Sequence, residues 1–225
     1  MKVLLLNGSP HEKGCTYTAL CEVAGALEKN GIETEIFQIG NKPVAGCIGC
    51  GSCRKTGRCV FEGGVNEFVE KAKEADGFIF GSPVYYANAS GQISSFLDRA
   101  FYSNGSYEAF RFKPGAAIAV ARRGGTTAAL DALNKYFGIA QMPTAGSTYW
   151  NMVHGLYAEE APQDEEGMQT TENKRIFIGR QIDVDEETFE KNIEALDEAS
   201  RREDKNIREL VHKIVPEYQY QASQK

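Results

Sequence analysis

Short apolar runs alternate along most of the chain with segments in which an apolar residue recurs every three or four positions. Continuous apolar runs are typical of strands buried on both faces, and the wider spacing is typical of helices with one buried face. The runs predict five strands, at 3–6, 34–39, 77–80, 116–120 and, more weakly, 144–147. The spaced segments predict four helices, at 16–29, 65–75, 91–102 and 126–137.

This alternation predicts right-handed βαβ units and therefore a parallel sheet covered by helices on both faces. Ligands of such sheets bind outside the carboxyl ends of the strands. The segments with unusual composition each follow a predicted strand, so we expect them to share one edge of the sheet. These segments are 7–16, 40–63, 82–91, 121–125 and 147–155.

Beyond residue 155 the chain changes character. Residues 159–166 are acidic, and 185–214 predict a long charged helix with a narrow apolar stripe that lapses between 198 and 205. Such a helix is more often solvated than bound to a partner. We therefore expect a domain over 1–155 and a charged, mainly helical C-terminal extension over 156–225.

The composition is that of an ordinary globular protein, with 42% hydrophobic and 25% charged residues and a net charge of −6. The negative charge argues against nucleic acid as a partner, because phosphate-backbone binding needs a basic face. No apolar stretch approaches the roughly 20 residues of a membrane span. The first apolar run is also shorter than the core of about 7–15 residues that a signal peptide needs. We expect a cytoplasmic protein, in which clustered cysteines suggest metal or redox chemistry sooner than disulfides.

Four of the six cysteines fall within one short loop, 46–60, that follows the second predicted strand. Compact cysteine runs of this kind ligate iron–sulfur clusters, in which each iron takes a thiolate. Structural zinc sites more often use two pairs separated by a longer spacer. Three interpretations are compatible with these cysteines: ligands of a cluster, ligands of a zinc ion, or unligated thiols. The four residues are Cys47, Cys50, Cys53 and Cys59.

The first unusual segment runs from a strand directly into the start of a helix. Its small residues and the hydroxyl groups of Ser9, Thr16 and Thr18 suit a phosphate at the positive end of the helix dipole. It has neither the Gly-Lys-Ser/Thr of a nucleotide P-loop nor three glycines at dinucleotide spacing, so a phosphate monoester without metal fits better. The alternative is that Ser9-Pro10 and Thr16 only turn the chain and cap the helix.

The segment 82–91 combines a rigid turn, flat apolar surface and an amide. Pro83 restricts the backbone, Tyr85 and Tyr86 offer aromatic faces, and Asn88 offers hydrogen bonds. This mixture suits a planar heteroaromatic ring with polar edges. The two tyrosines are equally compatible with packing over a helix.

Three motifs together resemble the flavodoxin-like NADPH-dependent FMN reductases. They are Asn7-Gly8-Ser9-Pro10 before a helix, Gly81-Ser82-Pro83-Val84-Tyr85, and Phe96-Leu97-Asp98-Arg99 in the following helix. The resemblance covers roughly residues 1–155, and the cysteine run resembles that of the iron–sulfur flavoproteins, a branch with the same core. It implies a flavodoxin-like α/β fold, a three-layer doubly wound parallel sheet of five strands in the order 2-1-3-4-5, which binds FMN non-covalently.

The resemblance also implies the residues that bind FMN. Those around the phosphate would be Ser9, His11, Cys15, Thr16, Tyr17 and Thr18. Those along the isoalloxazine would be Pro83, Val84, Tyr85, Tyr86 and Asn88. Those in the loop after the fourth strand, where relatives approach the flavin ring, would be Arg122, Arg123, Gly124 and Gly125.

Some of these positions carry an alternative. His11 stands where many relatives carry arginine, which weakens the charge offered to the phosphate. An arginine at 122 or 123 would stabilise the reduced, anionic flavin, but the two side chains are also compatible with a solvated pair. Trp150, Asn151 and His154 lie in a further loop that is a candidate cover for the flavin. His154 there is a candidate proton donor, or a structural histidine.

We therefore expect an FMN oxidoreductase, and no residue pair indicates covalent catalysis apart from the flavin. In one version the four cysteines bind a [4Fe–4S] cluster and a ferredoxin is the redox partner. In the other the loop is cluster-free and the protein is an NAD(P)H-dependent FMN or quinone reductase. A hypothesis of a different class is a non-enzymatic metal-binding module that docks a partner through its acidic tail. The family implies a homodimer or homotetramer in which a neighbouring chain completes the flavin site.

Overall fold

A parallel sheet with helices on both faces forms most of the computed structural model, which describes residues 1–147, 149–164, 186–202 and 206–214. The strands are β1 (Lys2–Asn7), β2 (Glu33–Gln38), β3 (Gly77–Tyr85), β4 (Asn88–Ala89), β5 (Gly115–Ala121) and β6 (Met152–His154). The helices are α1 (Cys15–Lys29), α2 (Cys53–Thr56), α3 (Val65–Glu74), α4 (Gly91–Ser103), α5 (Thr126–Ile139), α6 (Glu186–Arg201) and α7 (Ile207–Ile214).

The strand order confirms the predicted topology. The parallel strands run β2-β1-β3-β5-β6, while the two-residue β4 folds back antiparallel on β3. Counting only the parallel strands, this is the flavodoxin-like order 2-1-3-4-5. β4 is the addition that the sequence pattern did not predict.

Both faces of the sheet are buried, which explains why β1 reads as a continuous apolar run. Leu4 and Leu6 pack into the larger core, under α3, α4 and α5, and Leu5 packs into the smaller core, under α1. The larger core is rich in phenylalanine, and the rings of Phe101 and Phe110 stack with centroids 4.2 Å apart. Each fully buried side chain of this size stabilises the fold by about 1.5–3 kcal/mol, so this core is the main source of stability.

The fifth predicted strand was wrong in position. At 144–147 only Thr144 makes a bridge, to Gly115, whereas the paired strand β6 comes several residues later. The residues 144–147, Thr-Ala-Gly-Ser, offer the core almost no apolar surface, whereas Val153 of β6 is buried and contributes an apolar side chain. The loop after this last parallel strand therefore begins at Gly155.

Strand β3 is longer than predicted, because it continues through Pro83 to Tyr85. Its pairing with β1 ends at Gly81, and Pro83 lies beside Val120 of β5. Proline lacks an N–H group and is tolerated where a strand has lost one neighbour. The chain therefore stays extended to the rim of the sheet.

The chain divides into two compact units, residues 1–180 and 181–225. In the second unit the single helix predicted over 185–214 is instead two helices, since α6 ends at Arg201 and α7 begins at Ile207. Part of the predicted acidic segment, 165–166, and the residues 203–205 between the two helices lie outside the described residues. The predicted domain boundary at residue 155 stays a prediction. Within the described ranges no helix is long and apolar enough to cross a bilayer.

Candidate functional site: a cleft at the sheet edge and a cysteine loop

An open cleft of about 580 Å³ lies at the carboxyl edge of the sheet. The end of β3 and the segments that follow β1, β5 and β6 line it, so four of the five segments of unusual composition, or residues just beyond them, contribute to one site. The volume is within the range of cofactor pockets. The topology thus places the cleft where doubly wound sheets bind their ligands.

At one end of the cleft, α1 begins with N–H groups that no described side chain caps. Its N-cap residue is Gly14, and within the described residues no side chain caps this terminus and no acidic residue stands in the first turn. Gly14, Cys15 and Thr16 line the cleft, and the hydroxyl-bearing residues Ser9 and Thr16 are buried there, with exposures of 3% and 2%. Free N–H groups at the positive end of a helix stabilise an anion.

The turn before α1 is held by hydrogen bonds to its neighbours. The Ser9 N–H donates to Asn7 Oδ1 (3.1 Å), and Gln38 Nε2 donates to the Ser9 carbonyl (2.7 Å). A Cβ on Gly8 would lie 2.6 Å from Ile93 Cδ1, so only glycine fits at this crossing. The turn is therefore tied to β2 and α4.

A serine network joins this turn to the end of β3. The Gly8 N–H donates to the Gly81 carbonyl (2.8 Å), and Ser90 Oγ donates to the Gly8 carbonyl (3.0 Å). The Ser90 N–H in turn donates to Ser82 Oγ (3.0 Å). Main-chain and serine hydrogen bonds thus connect the turn before α1 to the end of β3.

The opposite side of the cleft is a β-hairpin. Pro83, Val84 and Tyr85 of β3 line the cleft, and the two turn residues Tyr86 and Ala87 both have positive φ, 49° and 58°. Two-residue hairpin turns of type I′ require positive φ at both positions, which are usually filled by asparagine, aspartate or glycine. The turn therefore holds Tyr86 in a fully exposed position outside the cleft lining.

The loop after β5 packs on this hairpin through a glycine. Gly125 has φ 100°, and a Cβ there would lie 2.5 Å from Ala87 Cα. Arg122 lines the cleft, while Arg123 and Gly124 are exposed outside its lining. Gly125 is thus needed for close packing of this loop against the hairpin of the same chain, a reason that the sequence resemblance did not supply.

The segment after β6 closes the remaining side. The Cys15 thiol donates to the Tyr157 carbonyl (2.6 Å), and the Leu156 N–H donates to a carboxylate oxygen of Glu160 (2.7 Å). Burial, together with the nearby Glu160 carboxylate, raises the pKa of the Cys15 thiol. The thiol therefore remains a neutral donor at neutral pH and adds no negative charge to the cleft.

His154 is engaged with an acidic neighbour. Its backbone N–H donates to Asp164 Oδ2 (2.8 Å), and its ring Nδ1 lies 3.5 Å from the same oxygen. The carboxylate of Asp164 is nearly buried, with 7% of the side chain exposed. His154 and Trp150 both lie outside the cleft lining, so the expected cover of the cleft is provided by the segment after β6 instead.

The structure brings together about half of the residues expected to bind FMN. Those that line the cleft are Ser9, His11, Cys15, Thr16, Pro83, Val84, Tyr85 and Arg122. Those outside the lining are Tyr17, Thr18, Tyr86, Asn88, Arg123, Gly124 and Gly125. Lining residues that the sequence reasoning missed are Glu12, Lys13, Gly14, Val120, Gly155, Leu156, Tyr157, Ala158 and Glu159. Glu12, Lys13, Gly14 and Gly155 lie within the segments of unusual composition 7–16 and 147–155 but carry no motif that singled them out. Residues 156–159 lie beyond the last segment, whose bounds were set from a misplaced fifth strand.

The four cysteines of the loop 46–60 line a second, small cavity of about 20 Å³, together with Arg99 and Tyr102 of α4. Gly49, Gly51 and Gly57 have φ between 64° and 70°, a conformation that other residues rarely adopt. These bends turn the chain repeatedly around the cavity. All four cysteines of the loop therefore line one cavity, and their role as metal ligands stays a prediction.

The cysteine side chains differ in exposure and electrostatics. Cys47 and Cys50 are exposed, and Cys53 and Cys59 are half-buried. A hydrogen bond from the Ser52 backbone lowers the pKa of Cys50, which favours its thiolate, the form that ligates metal. All six cysteines are free thiols.

Within the described residues, no three histidine, cysteine or acidic side chains are grouped as ligands of a single metal ion. In a cluster each thiolate binds a different iron, so the ligands surround a larger object than one ion. The residues lining the small cavity offer the thiolate donors that such a cluster requires.

Known proteins are similar to most of this chain. The family model for NADPH-dependent FMN reductases matches residues 1–156. An iron–sulfur flavoprotein of Methanocaldococcus jannaschii is 33% identical over 180 residues, which is 77% of this chain and 93% of that protein. An iron–sulfur flavoprotein of Methanosarcina thermophila is 33% identical over 177 residues, 76% of this chain and 89% of its own length.

Solved structures support the fold. The NAD(P)H:quinone oxidoreductase of Methanothermobacter marburgensis superimposes with a TM-score of 0.54 over 69% of this chain and 84% of its own, at 14% identity. The protein described as Trp repressor binding protein of Bacillus subtilis gives 0.53 over 73% and 92%, at 16% identity. At these identities the likeness concerns the fold alone.

Proposed function

The chain belongs to the NADPH-dependent FMN reductase family, and from that premise we propose that it is an FMN oxidoreductase that relays electrons between the flavin and a [4Fe–4S] cluster. The observation that carries the proposal is the convergence of four cysteines on one cavity in a chain of this family. Its similarity to two archaeal iron–sulfur flavoproteins supports the same conclusion.

The residues of the cleft fit a bound FMN. The N–H groups at the start of α1, with Ser9 and Thr16, would hold the phosphate, since they offer donors at the positive end of the helix dipole. Pro83, Val84 and Tyr85 would contact the isoalloxazine, because they give the cleft an apolar wall. The lining contains carboxylates only at Glu12 and Glu159, within the described residues.

Further FMN contacts are proposed from the sequence resemblance. Tyr17, Thr18, Tyr86, Asn88, Arg123, Gly124 and Gly125 lie close in sequence to the lining and stay candidates. Among the cations, Arg122 lines the cleft and is the best candidate to stabilise negative charge on the reduced ring.

The cysteine loop fits a cluster by its donor chemistry. Cys47, Cys50, Cys53 and Cys59 would each supply a thiolate, and the lowered pKa of Cys50 favours that form. When bound, FMN would exchange two electrons with a nicotinamide or single electrons with a cluster. The cluster would transfer one electron at a time. The chain itself would position both groups and hold the phosphate, and the raised pKa of Cys15 keeps this thiol of the cleft protonated.

The donor and acceptor are part of the proposal. A ferredoxin is the expected partner if the cluster is present, and NADPH or NADH if it is absent. A homodimer or homotetramer is expected from the family. Membership of an oxidoreductase family argues against a non-enzymatic metal-binding module.

The test is anaerobic purification followed by a visible spectrum and assays of FMN, iron and sulfide. We expect about one FMN and about four irons per chain, as the cofactors named here require. Cys50→Ser should lose most of its iron and keep its FMN, because the cleft and the cysteine cavity are lined by different residues. Cys21→Ser, which changes a half-buried cysteine of α1 outside both sites, is the matched control and should keep both.

The outcomes separate the parts of the proposal. Iron-free wild-type protein with full FMN would refute the relay and leave a cluster-free NAD(P)H-dependent reductase. Protein that binds no FMN in a titration would refute the flavin function. Equal iron loss in Cys50→Ser and Cys21→Ser would show that the cysteine loop is not the iron site.

A further inference from the structure

Arg99 is a buried cation in the middle of α4. Its side chain is the largest among the fully buried side chains of the described residues, with 2% of the residue exposed. The neighbouring helix positions Phe96, Leu97 and Ala100 belong to the larger core. Arginine is almost never buried to this extent unless it is paired. Its position therefore requires partners that compensate the loss of water.

Among the described residues, the hydrogen-bond partners of the Arg99 side chain all lie in one stretch, 45–62, that contains the cysteine loop. Nη1 donates to the Ala45 carbonyl (3.3 Å), and Nη2 donates to the carbonyls of Phe61 (2.6 Å) and Glu62 (2.8 Å). Ala45 precedes the first cysteine and Phe61 follows the last. One guanidinium thus joins the entrance of the loop to its exit.

A further donor of Arg99, Nε, contacts a cysteine. Nε donates to Cys59 Sγ at 3.2 Å, and Arg99 lines the small cavity together with all four cysteines. The geometry fits a charge-assisted hydrogen bond to sulfur. Cys59 is the one loop cysteine that receives this bond within the described part of the chain.

The charge of Arg99 has no acidic partner among the described residues. The ion pairs of this region involve other side chains, and the adjacent Asp98 accepts a hydrogen bond from the Tyr136 hydroxyl (2.6 Å) instead. Arginine cannot lose its proton in a protein. A buried guanidinium without a carboxylate therefore needs negative charge from elsewhere, and the cysteine sulfurs lining the same cavity are the available source.

We propose that Arg99 is a positioning residue of the cysteine loop, which fixes Cys59 as a cluster ligand and raises the reduction potential of the cluster. The inference rests on the proposed function, because it needs the four cysteines to bind a cluster. Hydrogen bonds and positive charge at ligand sulfurs stabilise the more negative, reduced state. Arg99 delivers both to one ligand from a rigid helix.

A purely structural role for Arg99 makes a different prediction. The three carbonyl contacts alone would hold the loop, and their loss would lower stability without a specific effect on potential. The distinguishing observable is therefore the midpoint potential of the cluster. It is measured by EPR-monitored redox titration of the complete, cluster-loaded protein.

The test compares Arg99→Gln with Arg54→Gln. Arg54 is exposed on the loop, follows Cys53 directly and donates to the Tyr102 hydroxyl (2.9 Å), so its loss removes the same charge without removing a bond to sulfur. We expect Arg99→Gln to make cluster reduction at least tenfold less favourable, a fall of about 59 mV for one electron. Arg54→Gln should change that equilibrium by less than about threefold, because exposed charges are screened.

Arg99→Lys separates charge from hydrogen-bond geometry. Lysine keeps the positive charge but lacks the planar fork that reaches Cys59 and the carbonyls together. We expect an intermediate fall in potential. A fall in Arg99→Gln no larger than that in Arg54→Gln would overturn the proposal.

A measurement on the unaltered protein covers the case in which Arg99→Gln does not fold. With ¹⁵N-labelled arginine, the reduced cluster should show a hyperfine coupling to a guanidinium nitrogen. Absence of that coupling would also overturn the proposal. Wild-type protein that takes up FMN but no iron would refute the relay itself, an outcome distinct from both.

Discussion

Adjacent glycines in the loop after β5 give the sharpest test of how the cleft is built. Gly125 has φ 100°, and a Cβ there would lie 2.5 Å from Ala87 Cα and 3.0 Å from Val84 Cγ1. Gly124, its neighbour, has no heavy atom within 4 Å of an added Cβ among the described residues and no positive φ. The pair Gly125→Ala and Gly124→Ala therefore makes the same chemical change in two different environments.

The expected cost follows from two effects. A residue other than glycine at such a φ costs about 1–3 kcal/mol, and a clash with backbone adds about 1–3 kcal/mol. We take roughly 3 kcal/mol for Gly125→Ala, which corresponds to a fall in Tm of about 6–12 °C for a chain of this size. Gly124→Ala should be neutral or stabilise by up to about 1 kcal/mol, since alanine reduces the entropy of the unfolded chain.

The assay is guanidinium unfolding followed by far-ultraviolet circular dichroism, with FMN removed because a ligand adds its own binding free energy to stability. Equal m-values would show that both variants unfold from the same kind of native state. If Gly125→Ala were as stable as Gly124→Ala, the close packing of this loop on the hairpin would be wrong.

Two further predictions concern pH. Lys2 Nζ (2.7 Å) and Lys71 Nζ (2.8 Å) lie beside the Glu35 carboxylate and lower its pKa. The ionised carboxylate therefore stabilises the folded protein at pH values above the ordinary pKa of glutamate, and this effect is lost as the pH falls through the lowered pKa of the folded state. Glu35→Gln should therefore cost about 0.5–1 kcal/mol at neutral pH and nothing in strong acid; an equal cost at both would contradict the ion-pair reasoning. Burial and Glu160 raise the pKa of Cys15, so this thiol stabilises the native state below its ordinary pKa and loses that effect as pH rises through the native value. In alkaline unfolding titrations the wild type should lose stability relative to Cys15→Ser, and parallel curves would refute this.

The fold was predictable because its elements carry strong local patterns. β1 and four of the five helices of the first unit, α1, α3, α4 and α5, were recognised from apolar spacing, and their alternation predicted a parallel sheet. β6 escaped recognition since three residues are too few for a pattern. Its position depends on pairing with β5, which no window of neighbouring residues contains.

The candidate site likewise has parts that local sequence motifs predict and parts that depend on contacts between distant residues. The turn before α1 is a local motif, and Ser9 and Thr16 were found there. The contact between Cys15 and Tyr157 joins residues separated by 142 positions, and that between Arg99 and Cys59 joins residues separated by 40. None of these four residues has a local sequence pattern that identifies its contact partner. Arg99 was read as part of a family motif, but its burial against the cysteine loop became visible only in three dimensions.

The serine network between the turn at Gly8 and the end of β3 bears on how fast the cofactor associates. Gly8 is bonded to Gly81 and Ser90, and Ser90 is bonded to Ser82, so contacts within the protein connect this turn to the end of β3. A site that is already ordered pays little entropy on binding, and its association needs no preceding rearrangement. FMN uptake by this side of the cleft should therefore follow a single second-order phase. The segment around Tyr157, tied to α1 by the Cys15 thiol, is where a slower step would arise.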